Sequence, residues 1–305
     1  MIDFQAWDNC IERSVQPRLN ALSWYLQLTC PSWDGLVIGD YDAVLPFTYR
    51  GRYLKWLVNP AFSQQLGLFT YDELCEVQIQ AVVNQLKRIT LQSYSFNSAN
   101  QSMVHLMTGV NSRPNYILDL SAPYEQIRQG FHSNTRRNIQ SAGKLSLEVR
   151  LISSVDIVNL KLQYPASGVS QSVYRVMPSL LSEIEKREMG FGMGVYCEGR
   201  LIAGVFVSHY CNRLTYLLSA STDEGKEKKA MFLLVDHLIR QYCGTETFLD
   251  FEGSVIPGVA RFFWGFGARE EVYYSVFRGN VFSFQGLLLS IYRSCTRLKK
   301  FLSPN

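Results

Sequence analysis

The 305-residue sequence predicts an α+β fold made of two copies of one unit, each a mixed, mainly antiparallel sheet flanked by helices. Three observations carry this. β-rich runs broken by Gly, Asn and Asp occur twice in the same order. Each set is followed by a helical stretch with the same apolar register. A break rich in Gly, Asn, Ser and Pro, MTGVNSRPN at 107–115, separates the two.

In the first copy, GLVI (Gly35 to Ile38) leads through the turn Gly39–Asp42 into AVLPFTYR (Ala43 to Arg50). A turn at Gly51 then leads to YLKWLVN (Tyr53 to Asn59). In the second, GVYC (Gly194 to Cys197), LIAGVFVSH (Leu201 to His209) and LTYLLSA (Leu214 to Ala220) follow one another across turns at Glu198–Arg200 and Cys211–Arg213. Both read as three-stranded antiparallel meanders.

A helix is expected from Tyr71 to Lys87, with Cys75, Ile79, Val82, Val83 and Leu86 on one face. Thr70 to Glu73 reads as its capping box. A second helix is expected from Glu224 to Tyr242, with Met231, Val235, Leu238, Ile239 and Tyr242 in the same spacing. Each of these five lies 156 residues after its counterpart, as Met231 does after Cys75. A strand follows each helix, Leu91 to Phe96 and Thr247 to Phe251. The units are therefore set at 1–112 and 113–305. The amphipathic, basic-ended stretch from Val281 to Leu302 closes the second, either packed on the body or on a membrane surface.

Composition narrows the function. The chain is 47% hydrophobic and 18% charged, as a foldable, soluble protein is. No run reaches the ~20 apolar residues of a membrane span. The N-terminus lacks the apolar centre of a secretory signal, so a cytoplasmic protein is expected. The seven cysteines are widely spaced and never form C-x-x-C, which suits reduced thiols. The four histidines show no metal-ligand spacing, and no metal is expected. A net charge of +4 allows an anionic ligand but is not the footprint of a dedicated nucleic-acid binder. G-x-S-x-G is missing, and Gly225-Lys226 lacks the rest of a phosphate-binding loop. GFGMG at 190–194 precedes a strand, so it is not a dinucleotide fingerprint.

Meander, helix, strand is the core order of the GNAT (N-acetyltransferase) superfamily, which this chain resembles. Two such units in one chain are similar to the Fem-type peptidoglycan-bridge aminoacyltransferases of bacteria. YILDLSAPYEQIRQGFHSNTRRNIQSAGK (Tyr116 to Lys144) is similar to the segment opening that family's second unit. FLDFEGSVIPGVARFFWGFGA (Phe248 to Ala268) resembles its Asp-Phe-x-Gly-Ser, spacer, Phe-x-x-x-Phe-Gly run, with Phe263 standing where the family carries a lysine. The resemblance implies an acyl- or aminoacyltransferase that joins a thioester or aminoacyl-ester donor to an amine in a cleft between the units. Acyl-coenzyme A or aminoacyl-tRNA would be the donor, and a small molecule or a cell-wall precursor the acceptor. The alternative is a non-catalytic binding or scaffold protein that retains the fold.

Three groups of residues are candidates for a site. Ser221, Thr222, Gly225, Lys226, Lys228 and Lys229 surround the start of the second long helix, where amide N–H groups favour an anion. They form either a donor-binding corner or a solvated loop whose lysines Asp223, Glu224 and Glu227 neutralise. Arg136, Arg137 and Arg261 suit a phosphate or carboxylate, or else face solvent. In a strand from Thr247 to Phe251, Phe248 and Asp250 face one way and Leu249 and Phe251 the other, with Glu252 continuing the Asp250 face. A carboxylate beside an aromatic wall has a raised pKa and can accept a proton from an attacking amine, so Glu252 is the candidate base. The other reading has both acids holding the amides of the glycine-rich turn.

Overall fold

A computed structural model of the chain describes residues 1–51, 55–89, 92–165, 171–253 and 256–278. The stretch from Val281 to Leu302 lies outside the described residues. The fold is α+β: a ten-stranded mixed sheet flanked by helices, with a three-stranded sheet beside it.

The chain opens with α1 (Phe4–Arg13), capped by the Asp3 carboxylate, and α2 (Ser23–Thr29). Then come β1 (Asp34–Ile38), β2 (Ala43–Phe47), β3 (Tyr49–Arg50), β4 (Trp56–Val58) and β5 (Phe69–Thr70). The expected first meander is split. β1, β2 and β5 form the small sheet, while β3 and β4 pair in the large one. The chain changes sheet at Thr48, just after Pro46. β2 stays paired with β1 through Pro46 and Phe47, and the Pro46 carbonyl accepts the Tyr94 hydroxyl at 2.7 Å.

Helix α3 (Glu76–Arg88) starts five residues later than expected from Tyr71. Thr70 belongs to β5 and is not a cap. Gln78 reaches back to the Cys75 amide at 3.0 Å and closes the helix start there. Val82, Val83 and Leu86 are buried as their spacing predicts, whereas Cys75, expected on the same face, is the exposed cap residue and Ile79 is half-buried. β6 (Gln92–Phe96), α4 (Gln101–Val104) and β7 (Val110–Asp119) follow. The expected break at 107–115 thus contains the start of a ten-residue strand.

Next come α5 (Tyr124–Gln129), α6 (Ser133–Gly143), β8 (Leu147–Ile152), α7 (Ser154–Gln163) and α8 (Gln171–Lys186). The second meander forms as expected from β9 (Gly190–Cys197), β10 (Arg200–Tyr210) and β11 (Arg213–Ser221). GFGMG lies inside β9. Glu198 and Gly199, at φ 49° and 77°, make its two-residue turn. The second long helix is broken into α9 (Asp223–Glu227) and α10 (Ala230–Tyr242), because Lys229 is left-handed at φ 59°. β12 (Phe248–Asp250), α11 (Pro257–Gly265) and β13 (Arg269–Arg278) complete the chain.

The large sheet runs β3-β4-β6-β13-β7-β12-β11-β10-β9-β8. Strand β13, last in sequence, pairs with β6 on one side and β7 on the other, and so ties the early strands to the late ones. Each half contains a strand, a helix and a parallel strand: β4-α3-β6 and β11-α10-β12. The parallel pair β11/β12 is short, running from Arg213↔Phe248 to Thr215↔Asp250. Beyond Thr215, β11 continues without β12 beside it.

Two cores lie against this sheet. One contains the early elements together with α7 and α8. The other, under α10, contains Leu214, Tyr216, Leu249, Phe251, Phe263 and Phe266. Leu249 and Phe251 therefore share one face of the sheet, as the alternation of a strand requires. No helix among the described residues is long and apolar enough to cross a membrane.

Candidate active site

On the opposite face, four adjacent strands place polar side chains in a row. Glu271 (β13) stands across from Asn115 (β7), then come Asp250 (β12) and Arg213 (β11). Arg18, from the segment between α1 and α2, lies on this row and closes it. Asp250 is fully buried and Arg18 is 7% exposed. Asp250 Oδ2 accepts Arg18 Nη1 at 2.7 Å and Arg213 Nη1 at 2.6 Å. Its Oδ1 accepts Asn115 Nδ2 and the Glu252 amide, each at 2.9 Å. Glu271 lies within 3.7 Å of Arg18 and 3.9 Å of Arg213. Two cations and two anions thus offset one another, as buried charges must. Burial alone would push the Asp250 carboxyl up, but Arg213 and Arg18, with the Glu252 amide and Asn115, hold it below the usual carboxylate range.

Glu252 emerges at the edge of this network. Its φ of 48° is left-handed, a conformation a non-glycine residue adopts only when its surroundings impose it. The surroundings do so on both sides. Asp250 holds the Glu252 amide, and Asn115 Oδ1 holds the Gly253 amide at 2.7 Å. Gly253 is required at that contact: a Cβ there would stand 2.0 Å from the Pro114 carbonyl oxygen. Gln64 Nε2 donates to the Gly253 carbonyl at 3.1 Å, a further tie to the early part of the chain. The turn thus aims a half-buried Glu252 carboxyl along the Asp250 face. Burial, and then the charge of Asp250, push its pKa up to about 8 against the opposing pull of Arg18.

Glu252 lines a slot together with Arg18, Asn20, Tyr25, Phe62 and Gln64 from the early part of the chain and Arg213, Thr215 and Leu217 of β11. About 440 Å³ lies between the walls, counting the part open to solvent. Tyr25 donates its hydroxyl to the Phe62 carbonyl at 2.6 Å, and burial with the Glu252 charge keeps that phenol protonated far above its ordinary pKa.

The other expected site residues lie elsewhere. Ser221 ends β11, and Thr222 caps α9 by accepting the Gly225 amide at 3.0 Å. Gly225 packs so closely that a Cβ would stand 2.2 Å from the Ile202 carbonyl oxygen. Lys226 pairs with Asp223 at 2.8 Å and Lys228 with Glu224 at 3.7 Å, and Lys229 is exposed at the break before α10. Arg136 donates to the Phe131 carbonyl at 2.7 Å, and Arg137 is exposed. Their helix α6 begins at Ser133 with His132 as its cap residue, so Asn134 falls inside it. Arg261 borders a separate hollow with Tyr116, Trp264 and Glu270. None of these three arginines lines the slot with Glu252. Phe263, at the family's lysine position, is 4% exposed and stacks on Phe251 at 4.7 Å, with Tyr216 edge-on at 5.7 Å.

Sequence reasoning missed Arg18, Arg213, Asn115 and Glu271. Arg213 and Glu271 belong to no motif in the sequence, and only the strand order brings them to the Asp250 network. Arg18 carries one local signal, a lone cation between Pro17 and Leu19.

Residues 131–255 match the family model described as an acetyltransferase (GNAT) domain. No curated protein matches the chain in sequence. Among solved structures the chain is similar to FemX, with a TM-score of 0.64 and 10% identity over 90% of this chain and 96% of that one. A conserved protein of unknown function from Bacteroides thetaiotaomicron gives 0.62 and 11%, over 91% and 98%. L-PGS from Bacillus licheniformis gives 0.56 and 12%, over 97% of both chains. Residues 131–255 are thus similar to an acetyltransferase (GNAT) domain, and the overall fold of the chain is that of FemX.

Proposed function

We propose that this protein transfers an acyl or aminoacyl group to an amine held in the Glu252 slot, between an early unit (1–112) and a late unit (113–305). The observation that carries this is Glu252 itself. It is a half-buried carboxyl with a pKa of about 8, locked by its turn at the edge of a slot built from both parts of the chain. A base must hold a pKa near the working pH to take a proton from an ammonium or a zwitterionic intermediate.

The amine attacks the donor carbonyl directly, the C–N bond forms, and the thiol or ribose oxygen leaves with the bonding electron pair. Glu252 receives the proton lost by the nitrogen. The donor reaches the slot along β11. Ser221 lies four residues beyond Leu217 on that strand, about 13 Å by the strand rise. An elongated donor anchored near Ser221, Thr222 and the lysines at 226, 228 and 229 would extend its carbonyl toward Glu252. Acyl-coenzyme A and aminoacyl-tRNA are the two candidate donors, and a cytoplasmic setting supplies both.

Phe263 favours a second reading, a binding protein that keeps the fold, because a core aromatic occupies the family's lysine position. Incubation with acyl-coenzyme A and aminoacyl-tRNA donors and a panel of amines separates the two. Transfer that Glu252→Gln lowers by 10²-fold or more supports the first reading. No transfer from any donor supports the second. An aminoacyl-tRNA donor is recognised by a steep loss of affinity with salt, which coenzyme A does not give.

A further inference from the structure

The stretch from Val281 to Leu302 has no part in the Glu252 site. Taken as a helix, its sequence sets Val281, Phe284, Leu288, Ile291, Cys295 and Leu298 in one apolar stripe, at alternating steps of three and four. Arg293, Arg297, Lys299 and Lys300 make its second half basic, and the stretch contains no acid. Gly279 and Asn280, just before it, are residue types of a chain reversal and a helix cap. Such a stripe needs an apolar surface, and the end of β13 limits which one it can reach. Both α3 and β13 run against β6, so β13 ends beside the C-terminal end of α3. Arg278, its last residue, donates to the Lys87 carbonyl at 2.9 Å and to the Thr108 hydroxyl at 3.0 Å.

An open groove begins close by. Leu106, two residues before Thr108, lines it with Met103 of α4, Ile79 of α3, Leu74 and Val15. About 1450 Å³ lies within it, counting the part open to solvent. Val15 is 69% and Leu106 45% exposed, so apolar surface here is turned to water. Asp72, Glu73 and Glu76, all exposed, line the groove at the end of α3 away from Lys87. We infer that Val281 to Leu302 docks in this groove as a helix antiparallel to α3, its stripe on the apolar residues and its basic half beside the three carboxylates. The lengths agree. At 1.5 Å per residue, Cys75 to Lys87 spans about 18 Å along α3, and Val281 to Cys295 about 21 Å along the docked helix. Cys295, on the stripe, thereby arrives at the exposed Cys75, which stands between the groove residues Leu74 and Glu76. The four cations arrive at the same end, where Asp72, Glu73 and Glu76 attract them.

The native cysteines test this in the full chain. Oxidation with diamide, followed by peptide mapping without reduction, should give a Cys75–Cys295 disulfide within one chain. It should form at least tenfold faster than a bond from Cys295 to Cys211 or Cys243, neither of which is buried. Leu288→Asp, on the stripe, should slow it tenfold or more, whereas Leu289→Asp, off the stripe, should not. Glu73→Lys with Glu76→Lys should slow it at low salt and less at high salt. Equal trapping of Cys295 by Cys75, Cys211 and Cys243, or equal slowing by the two leucine variants, overturns the inference. If Leu288→Asp does not fold, the wild-type trapping pattern still decides. A Cys75–Cys295 bond joining two chains, seen as a dimer that increases with protein concentration, would assign the groove to a second copy and overturn it. Binding to phosphatidylglycerol vesicles that abolishes the Cys75–Cys295 bond would assign the stretch to a membrane surface and overturn it likewise.

Discussion

Replacing Glu252 with Gln should stabilise the protein, and increasingly so as pH rises. The carboxyl titrates near 4.5 in an unfolded chain and near 8 in the fold. Below 4.5 it is protonated in both states and costs nothing. Between 4.5 and 8 the unfolded chain ionises while the folded one holds its proton. Stability therefore falls as pH rises through this window, by about 1.4 kcal/mol per pH unit. The whole window corresponds to about 5 kcal/mol, and partial exposure reduces this to about 2–4 kcal/mol. Glutamine keeps the shape and carries no charge. The stability of Glu252→Gln minus that of the wild type should be small at pH 5 and grow by about 2–4 kcal/mol by pH 8.5. Urea denaturation of both proteins at the two pH values measures it, and the Asp250 contribution cancels because both proteins retain that residue. A difference that changes by less than about 0.5 kcal/mol, or that shrinks with pH, would falsify the assignment of a raised pKa to Glu252.

Asp250→Ala leaves Arg18 and Arg213 buried against one another without their shared carboxylate, and should cost about 3–5 kcal/mol in urea midpoint analysis. Phe263→Ala should cost a similar amount, about 3–5 kcal/mol, by emptying the stack between Phe251 and Tyr216. Phe263→Lys should be at least as damaging, since the aromatic core offers the ammonium no partner, and near-wild-type thermal stability of that variant would contradict the packing described. Gly253→Ala forces the turn off the Pro114 carbonyl and should cost about 1–3 kcal/mol, readable by thermal shift.

Local pattern identified much of this fold. The β9-β10-β11 meander, the buried faces of α3 and α10, and the strand after each helix followed from spacing and turn residues alone. So did the facing of β12, because alternation fixes which of Leu249 and Asp250 meets the core. Chain continuation was less legible. At Thr48 one run passes from the small sheet into the large one, and the left-handed Lys229 divides a helix whose apolar register continues through the break. Both depend on tertiary partners that no window of sequence contains. The same limit applied to the site. Glu252 stood out beside its glycines, whereas Arg18 and Asp250 are 232 residues apart and meet only because early and late strands share one sheet.

Single-turnover transfer, measured from pH 6 to 10 with the donor and amine that the incubation panel selects, tests the central claim most directly. The account predicts a rate that rises with pH and levels off above about 8, and a Glu252→Gln rate at least 10²-fold lower that lacks this rise. A wild-type profile flat from pH 6 upward, or a Glu252→Gln enzyme with the same profile and rate, would contradict it.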